Sequence, residues 1–296
     1  MSVLDNKFFH DLIGLSLADF YNLHSKIELN INNKTLNLEE KSSYRGRKRS
    51  LDSVGQLLLF LMWFRQYLSV RILSWIFNIS EATVQIYLDA TLDMLYNMFK
   101  STIKLPNKTE RLKNSRIFGK FPITIVIDGS EQQVKLCSKT AIEKATYSGK
   151  KKKHTFTLML ACSPKGHIYY LSPTYNGSKN DIIVYEFSEN WIHDKIDSDE
   201  GISADLAYSS IVKYHKLTFI PKSQRNMEDE ENEEEGELKS IRVIVENVFR
   251  RIKEWKICKD KLRVPLINLE ETQLKHHKIW VVAAFFVNSY HKGTNK

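Results

Sequence analysis

Cysteine is scarce in this chain and follows no metal-binding pattern. The three cysteines, Cys137, Cys162 and Cys258, are odd in number and form neither a CxxC pair nor a Cys/His spacing of the kind that holds zinc. Isolated thiols of this sort argue against a zinc site and indicate a reduced, intracellular compartment.

Targeting signals and long apolar runs are also lacking. No secretory signal is visible at the N-terminus, and the longest apolar runs, near residues 57–64 and 279–287, are too short to span a bilayer. No internal repeat is evident. We therefore expect no membrane among the partners of this protein.

Charge is abundant and unevenly distributed. The chain has 44 basic and 35 acidic residues, a net charge of +9, and eight of the acids fall within residues 227–237. The rest of the chain therefore carries +17, which favours a polyanion such as nucleic acid as partner. The acidic stretch itself is typical of a solvated low-complexity insertion, and its alternative role is an electrostatic gate that mimics DNA.

Two aspartates follow predicted strands. Asp128 ends the apolar, β-branched run 122–127 and precedes Gly129, which predicts a buried strand that ends in a turn. Asp205 ends the short predicted strand 201–205. The carboxyl ends of strands are where open α/β sheets place their ligands, so both carboxylates are candidate site residues.

A third acid, Glu246, lies in a predicted helix, 241–255. It falls off the apolar stripe of that helix, with Arg242, Arg250 and Lys253 beside it at helical spacing. Mg²⁺ takes hard oxygen ligands, and two or three carboxylates suffice to hold a pair of ions around a scissile phosphate. Three converging acids would therefore make the chain a nucleic-acid-cutting enzyme.

Each acid also has an ordinary structural interpretation. Asp128 with the glycine after it is typical of a simple turn, and Asp205 of a helix N-cap. Glu246 among arginines is typical of a solvated helix with ion pairs at i,i+4. Only the three together indicate a site.

The elements between the acids predict a sheet with helices. Strands at 155–160 and 167–171 are joined by a turn at 163–166, which predicts a hairpin. An amphipathic helix at 181–192 and a short strand at 217–220 follow. The order is three strands, helix, strand, helix, strand and helix.

Five short motifs, together with this order, resemble known proteins. The order resembles the RNase H-like fold, and the motifs resemble DDE-type transposases and DDE superfamily endonucleases of the PIF/Harbinger kind, with their bacterial insertion-sequence relatives. The motifs occur in family order and cover most of the second half of the chain. They are Val126–Glu131, Tyr147–Thr155, Gly177–Asp181, Ala204–Tyr208 and Arg242–Lys253.

The resemblance implies an α/β chain whose RNase H-like mixed sheet is flanked by helices and preceded by a small all-α helix-turn-helix domain. It implies that Asp128, Asp205 and Glu246, separated by 76 and 40 intervening residues, are both the catalytic residues and the ligands of two Mg²⁺ or Mn²⁺ ions. The implied reaction is cleavage of DNA at the ends of an element and transfer of the strands to target DNA.

Two alternatives to this function stay open. One is a domesticated, sequence-specific DNA-binding protein that has lost catalysis, and the other is a nuclease without transposition. Ala207 stands where family members commonly have glycine, which favours the first alternative slightly and puts the local backbone geometry in doubt.

Basic side chains near the acids are candidate phosphate contacts, with an ordinary solvated basic face as the alternative. Asp181 is an accessory candidate for the metal site, or else a helix N-cap. The phosphate-contact candidates are Lys150, Lys151, Lys152, Lys153, Arg242, Arg250 and Lys253.

The N-terminal half predicts a helix-turn-helix. Helices at 70–77 and from Glu81 are separated by a short turn, and Ser80 is a natural N-cap for the second. The residues placed near its DNA-facing side are Glu81, Thr83, Gln85 and Tyr87. A generic helical hairpin shares this pattern. Upstream, a basic arm could contact phosphates, enter a minor groove, direct nuclear import or form a solvated linker; its residues are Arg45, Arg47, Lys48 and Arg49.

These patterns predict four segments. They are an N-terminal segment with the basic arm (1–50), a helix-turn-helix DNA-binding domain (51–105), a linker (106–120) and an RNase H-like DDE catalytic domain (121–296) with an acidic insertion at 227–237. A C-terminal helix, 269–290, should pack on the catalytic sheet.

The expected partners and location follow from the resemblance. The partners are inverted-repeat ends and target-site DNA, further copies of the chain assembled as a homo-oligomer on DNA, and an accessory DNA-binding protein. We expect a nuclear location in a eukaryotic host, which is the favoured alternative, and a cytoplasmic or nucleoid location in a bacterial host.

Overall fold

The computed structural model describes residues 6–40, 50–135, 140–188, 192–221, 231–264 and 268–290. The helices are α1 (Asn6–Ile13), α2 (Leu17–Glu40), α3 (Ser53–Gln66), α4 (Val70–Phe77), α5 (Glu81–Phe99), α6 (Lys108–Lys113), α7 (Thr140–Thr146), α8 (Asp181–Phe187), α9 (Ile192–Lys195), α10 (Glu231–Ile252), α11 (Lys256–Lys259) and α12 (Leu269–Tyr290). The strands are β1 (Arg116–Phe118), β2 (Phe121–Gln133), β3 (Tyr147–Ser148), β4 (Lys153–Cys162), β5 (Ile168–Leu171), β6 (Tyr175–Asn176), β7 (Gly201–Ser203) and β8 (Thr218–Phe219).

The chain divides into two compact units. The first comprises Met1–Ser101 and Lys253–Asp260, and the second comprises Thr102–Ile252 and Lys261–Lys296. The predicted basic arm and residues 227–230 of the acidic stretch lie outside the described residues. None of the helices in the described ranges is both long and apolar enough to cross a membrane.

Side-chain caps define the helix-turn-helix of the first unit. Ser80 Oγ accepts the backbone N–H of Thr83 at 3.1 Å and starts α5. Asn78 adopts a left-handed conformation, with φ of 51°, that ends α4. The predicted pattern of helix, short turn and capped helix is confirmed.

Aromatic packing fills the core of the first unit. The rings of Phe60 and Phe64 stack at 5.2 Å, and the ring of Trp255 meets Phe64 edge-on at 5.3 Å. Trp255 thereby joins the segment around α11 to α3. The ring also approaches Gly14, whose φ is 79° and where an added Cβ would lie 2.7 Å from the indole, so only glycine fits there.

A mixed sheet forms the centre of the second unit. Along its main path the strand order is β3, β4, β2, β7, β8, with β1 paired to β2 and both β5 and β6 paired to β4. Strands β2, β4 and β5 are antiparallel neighbours, whereas β7 runs parallel to β2 and β8 parallel to β7. This mixed sheet flanked by helices confirms the predicted α/β, RNase H-like architecture.

Helices cover both faces of this sheet. One face packs its apolar residues, including Ile125, Ile127 and Met159, against Val184 of α8. On the other face the indole of Trp280 in α12 is buried, so the C-terminal helix packs on the sheet as predicted. The hairpin of β4 and β5 is likewise confirmed.

Two local predictions are wrong. The strand predicted to end at Asp128 continues as β2 to Gln133, because β4 supplies ladder partners along the whole extension, with Gln133 opposite Thr155. The predicted acidic loop is helical from Glu231 onward. Glutamate is a good helix former, and negative charge is favourable at a helix N-terminus. In the segment predicted as a linker, the structure places α6 and β1.

Candidate active site

The strand register brings Asp128 and Asp205 together. Val126 of β2 pairs with Ser203 of the parallel strand β7, and each aspartate lies two residues beyond this pair. Side chains two residues apart along a strand project from the same side, so the two carboxylates leave adjacent chains at the same level. The proximity that the sequence suggested for these two acids therefore has a backbone cause.

Asp128 is largely buried, and burial is the main cause that raises its pKa to about 6. The backbone N–H of Gly129 donates to its Oδ1 at 2.7 Å and opposes the rise. The negative charges of Asp205 and Asp181 raise the pKa further, whereas the positive charge of Arg242 lowers it. The pKa of Asp128 is thus affected by two more carboxylates and one guanidinium.

Asp205 is held through both of its oxygens. Its Oδ1 accepts the N–H of Leu206 at 2.6 Å, at the start of the 3₁₀ helix Leu206–Lys213, so the N-cap interpretation of this residue is also correct. Its Oδ2 lies 3.4 Å from Nη2 of Arg242 in α10. The side chain keeps 38% of its surface exposed, so a ligand can reach it.

Gly129 opens the space in which Asp181 and Tyr208 meet β2. A Cβ added at Gly129 would lie 2.8 Å from Oδ1 of Asp181 and 2.9 Å from the hydroxyl of Tyr208. A side chain at this position would therefore displace the carboxylate of Asp181 or the hydroxyl of Tyr208. Asn180 holds the N-cap position of α8 and Asp181 is the first helical residue, so the alternative of Asp181 as N-cap is wrong.

Tyr208 was not identified as a site residue from the sequence. Its side chain is 1% exposed, and its hydroxyl has no hydrogen-bond partner among the described residues. Burial raises its pKa well above the usual value, and the charges of Asp181, Asp128 and Asp205 raise it further. The hydroxyl therefore keeps its proton beside three carboxylates. The sequence signal for this residue was its place in the motif Ala204–Tyr208. A buried tyrosine normally has a hydrogen-bond partner for its hydroxyl, so the lack of one in the described part of the chain is unusual.

Glu246 occupies a different environment from the two aspartates. It is exposed on α10, and no hydrogen bond or ion pair joins it to another described residue. Arg242, one helical turn earlier, is the α10 residue that contacts Asp205. Within the described ranges, no group of three or more His, Cys, Asp or Glu side chains is arranged to hold a metal ion.

The donor chemistry nevertheless fits Mg²⁺ or Mn²⁺. Mg²⁺ usually keeps several waters and binds through one or two carboxylates together with substrate phosphates. Asp128 and Asp205 supply carboxylate oxygens at one level of the sheet, and the unpartnered hydroxyl of Tyr208 lies beside them. Ala207 is absent from the residues with positive φ, so its methyl group is compatible with the backbone here.

Most of the predicted phosphate contacts are exposed basic side chains. Lys150 to Lys153 are exposed at the start of β4, and Lys150 Nζ lies 3.4 Å from Oδ2 of Asp181. Arg250 is exposed and Lys253 half-buried. The guanidinium of Arg242 likewise pairs with an acid, Asp205. Arg45, Arg47, Lys48 and Arg49 lie outside the described residues.

Most of the residues predicted on the DNA-facing side of α5 are polar, and their side chains contact neighbouring residues of the same helix-turn-helix. Glu81 pairs with Arg71 at 3.2 Å, and Gln85 donates to Asp89 at 2.9 Å. The hydroxyls of Thr83 and Ser80 are 2.8 Å apart. Tyr87 is buried, so its predicted place on the DNA-facing side is wrong.

Comparisons with known proteins agree with this arrangement. Residues 127–288, more than half of the chain, match the family described as DDE superfamily endonuclease, and residues 49–101 match the helix-turn-helix of DDE superfamily endonuclease. A relative described as "Probable transposase for insertion sequence element IS702", from the bacterium Microchaete diplosiphon, is 26% identical over 230 residues, which cover 76% of this chain and 78% of the relative. The chain belongs to the DDE superfamily of transposases and endonucleases.

Proposed function

We propose that this chain is a divalent-metal-dependent DNA transposase, of the PIF/Harbinger kind, that cuts phosphodiester bonds at element ends and joins the strands to target DNA. The observation that supports it best is the register that sets Asp128 and Asp205 side by side. Burial raises the pKa of Asp128 to about 6, and an aspartate that only forms a turn would not have to be buried in this way.

Asp128, Asp205 and Glu246 would hold two Mg²⁺ or Mn²⁺ ions. When bound, such ions activate an attacking oxygen and stabilise the leaving oxygen in an in-line displacement. Glu246 would supply its carboxylate from α10, the helix that already reaches Asp205 through Arg242. Asp181 is the accessory acid, since its carboxylate lies against Gly129.

The chain's own cations would orient the substrate. Before a cation binds, Arg242 offsets the charge of Asp205, and it could then turn to a phosphate oxygen. Exposed lysines at the start of β4 and the basic residues of α10 would neutralise phosphates on either side of the cut. The proposed set is Lys150, Lys151, Lys152, Lys153, Arg242, Arg250 and Lys253, with Glu81, Thr83, Gln85 and the basic arm as further DNA contacts.

The reaction proposed here also suggests partners and a location. Cutting two element ends favours a homo-oligomer on DNA, and an accessory DNA-binding protein is a further proposed partner. In a eukaryotic host the basic arm at 44–49 would serve nuclear import. The relative from Microchaete diplosiphon is bacterial, which supports the alternative of a cytoplasmic or nucleoid location in a bacterial host.

A domesticated DNA-binding protein is the second candidate. The observation that favours it is the lack of a three-acid group among the described residues, since Glu246 is not in contact with the aspartates. Such a protein would bind the same DNA without cutting it.

An assay on DNA ends tests the proposal. Purified chain is incubated with labelled inverted-repeat DNA, taken from the flanks of its own gene, with and without Mg²⁺. We expect nicking and strand transfer by the wild type in Mg²⁺ only, none by Asp128→Asn, and equal DNA binding by both. Equal cutting by both proteins would refute the enzyme, and binding without cutting by both would identify the domesticated protein.

A further inference from the structure

A cleft of about 710 Å³ lies in the second unit, beside the C-terminal end of α8. Its volume falls within the range of about 300–1,000 Å³ that is typical of clefts for small ligands. Aromatic rings line it, contributed by Tyr170 of β5, Tyr175 of β6 and Phe187 of α8. None of these three residues belongs to the candidate active site. We call this space the α8 cleft.

Hydrogen bonds fix the lining of the α8 cleft in place. The hydroxyl of Tyr175 donates to the backbone carbonyl of Phe187 at 2.9 Å, which holds the end of α8. Pro106 also lines the cleft, and its carbonyl accepts from Nη1 of Arg111 at 2.7 Å. Nε of Arg111 in turn donates to buried Glu200 at 2.9 Å. The cleft is therefore formed before any ligand arrives.

The ring of Phe187 is the most exposed aromatic group of the cleft. Phe187 is 60% exposed, although its backbone is held by Tyr175. The centroids of these two rings are 6.4 Å apart, and Nζ of Lys179 lies 5.4 Å from the Phe187 centroid. An ammonium group over an aromatic face is attracted by the ring. The cleft thus presents an aromatic surface with a cation beside it.

Charge around the α8 cleft has one sign. Lys104 and Lys195 line it and are exposed, and buried Arg111 also lines it, whereas none of the described lining residues is acidic. Lys179 adds positive charge at Phe187. A ligand with a planar apolar part and a negative charge is complementary to this lining. A nucleotide has both, because its base offers a π-face and its phosphate a negative charge.

We propose that the α8 cleft binds an unpaired nucleotide of the DNA substrate, with its base stacked on the ring of Phe187. A base within a duplex is stacked on both faces, so only an unpaired base can offer a face to a protein ring. The phosphates of that strand would meet Lys104, Lys179 and Lys195. The inference rests on the proposed function for the choice of DNA as the polymer.

The length of α8 sets the distance from the cleft to the cut. Asp181 and Phe187 are the first and last residues of this helix, and six residue steps correspond to about 9 Å. A DNA strand in a duplex rises about 3.4 Å per nucleotide, so this distance corresponds to about two to three nucleotides. The base on Phe187 would therefore be the second or third from the cut.

The fluorescence of 2-aminopurine, which falls when this base stacks, tests the proposal with the full chain in EDTA. The probe is DNA from the flanks of the chain's own gene, with a single-stranded tail at the cut end and the fluorescent base at one tail position per probe. We expect the largest fall at the second or third position, and no such fall with Phe187→Ala. This variant should bind the tailed DNA about 5- to 100-fold more weakly, because one stacked base is lost, and fully paired DNA as tightly as the wild type.

Three further variants serve as controls. Phe8→Ala should bind and quench like the wild type, because Phe8 is a matched phenyl ring that is 54% exposed on α1. Phe187→Tyr keeps the ring and should keep the fall in fluorescence. Lys104→Ser leaves the ring in place and should weaken binding of the tailed DNA with a smaller dependence on salt, because it removes one phosphate contact. Thermal unfolding should show that all four variants fold normally.

Three results would overturn the proposal. They are unchanged fluorescence at every tail position, the same fall with Phe187→Ala as with the wild type, and equal weakening of tailed and fully paired DNA by Phe187→Ala. Displacement of the tailed DNA by an equal concentration of free deoxyadenosine monophosphate would also overturn it, because the cleft would then be a site for free nucleotides. Neither metal nor cleavage enters the measurement, so each result is separate from the test of the proposed nuclease.

Discussion

Two polar clusters along β2 differ in how well their groups are paired. Gln132 Oε1 accepts from Trp280 Nε1–H at 2.9 Å and from His276 Nε2–H at 3.0 Å, and Thr174 donates to His276 Nδ1 at 2.7 Å. Four residues earlier, Asp128 has a pKa raised to about 6, and the nearby hydroxyl of Tyr208 has no partner among the described residues.

This difference indicates a structural role for the Gln132 cluster and a functional role for the Asp128 cluster. The Gln132 cluster is satisfied, so it holds α12 on the sheet and keeps His276 neutral, with burial lowering its pKa to about 3. The Asp128 cluster concentrates carboxylates whose charge is only partly offset. Buried polar groups are normally paired, and those that are not deserve a functional explanation. We propose a ligand of positive charge as the partner of the Asp128 cluster.

The largest expected effect is a loss of DNA cleavage when a carboxylate of the Asp128 cluster, or Glu246, is replaced. Asp205→Asn and Glu246→Gln should each lower Mg²⁺-dependent DNA cleavage by more than about 100-fold, because each would remove a carboxylate that we propose as a ligand of a catalytic ion. Glu234→Gln is the control, since Glu234 is also exposed on α10. Cleavage rates at equal protein concentration measure the effect. Full activity in Glu246→Gln together with loss in Asp181→Asn would make Asp181 the third acid.

In the Gln132 cluster a substitution should change stability alone. Gln132→Leu leaves the buried donors of Trp280 and His276 unpaired, which should lower the free energy of unfolding by about 2–4 kcal/mol. Gln133→Leu, on the opposite side of the strand, should cost much less. Denaturant unfolding measures both variants. Equal stability of Gln132→Leu and the wild type would contradict the role assigned to this network.

Opposite dependences on pH should distinguish the clusters without metal. The folded state raises the pKa of Asp128 from 3.8 to about 6, so this group contributes a loss of roughly 1–3 kcal/mol of stability as pH rises through that window, measured as the difference between the wild type and Asp128→Asn. Asp128→Asn should abolish this loss and be the more stable protein above pH 6. His276, whose pKa falls from 6.5 to about 3, contributes the reverse, a loss as pH falls below 6.5. Chemical unfolding across pH in EDTA provides the curves, and a constant difference between Asp128→Asn and wild type would count against the buried carboxyl.

The smallest effect is expected at Tyr208. Tyr208→Phe removes a buried hydroxyl that has no partner, so stability should stay equal or rise by up to about 1 kcal/mol. Cleavage should fall modestly if the hydroxyl positions a carboxylate. Unfolding and cleavage measured on the same preparation test both statements, and a strongly destabilised variant would show that the hydroxyl has a structural partner.

The sequence was sufficient for elements whose signal is local. The bounds of α12, the cap at Ser80 and the hairpin of β4 and β5 follow from periodicity, capping chemistry and turn residues. The sequence also predicted that Asp128 and Asp205 lie close together, although the cause is the parallel register of β2 and β7 and not the end of β2.

What the sequence could not supply depends on tertiary contacts. An Asp-Gly pair predicts a turn, but pairing with β4 overrides that preference and extends β2. The pairing of Arg242 with Asp205 joins helix to strand end, and no spacing along the chain reveals it. The motif Ala204–Tyr208 contains Tyr208, but only the fold shows that the charges of three carboxylates act on its hydroxyl.

Binding of Mn²⁺ to the purified chain, followed by electron paramagnetic resonance, tests most directly whether Asp128 and Asp205 hold a divalent cation. The wild type should bind Mn²⁺, and both Asp128→Asn and Asp205→Asn should lose most of this affinity while remaining folded. Equal Mn²⁺ binding by the wild type and both variants would contradict the metal site proposed at Asp128 and Asp205.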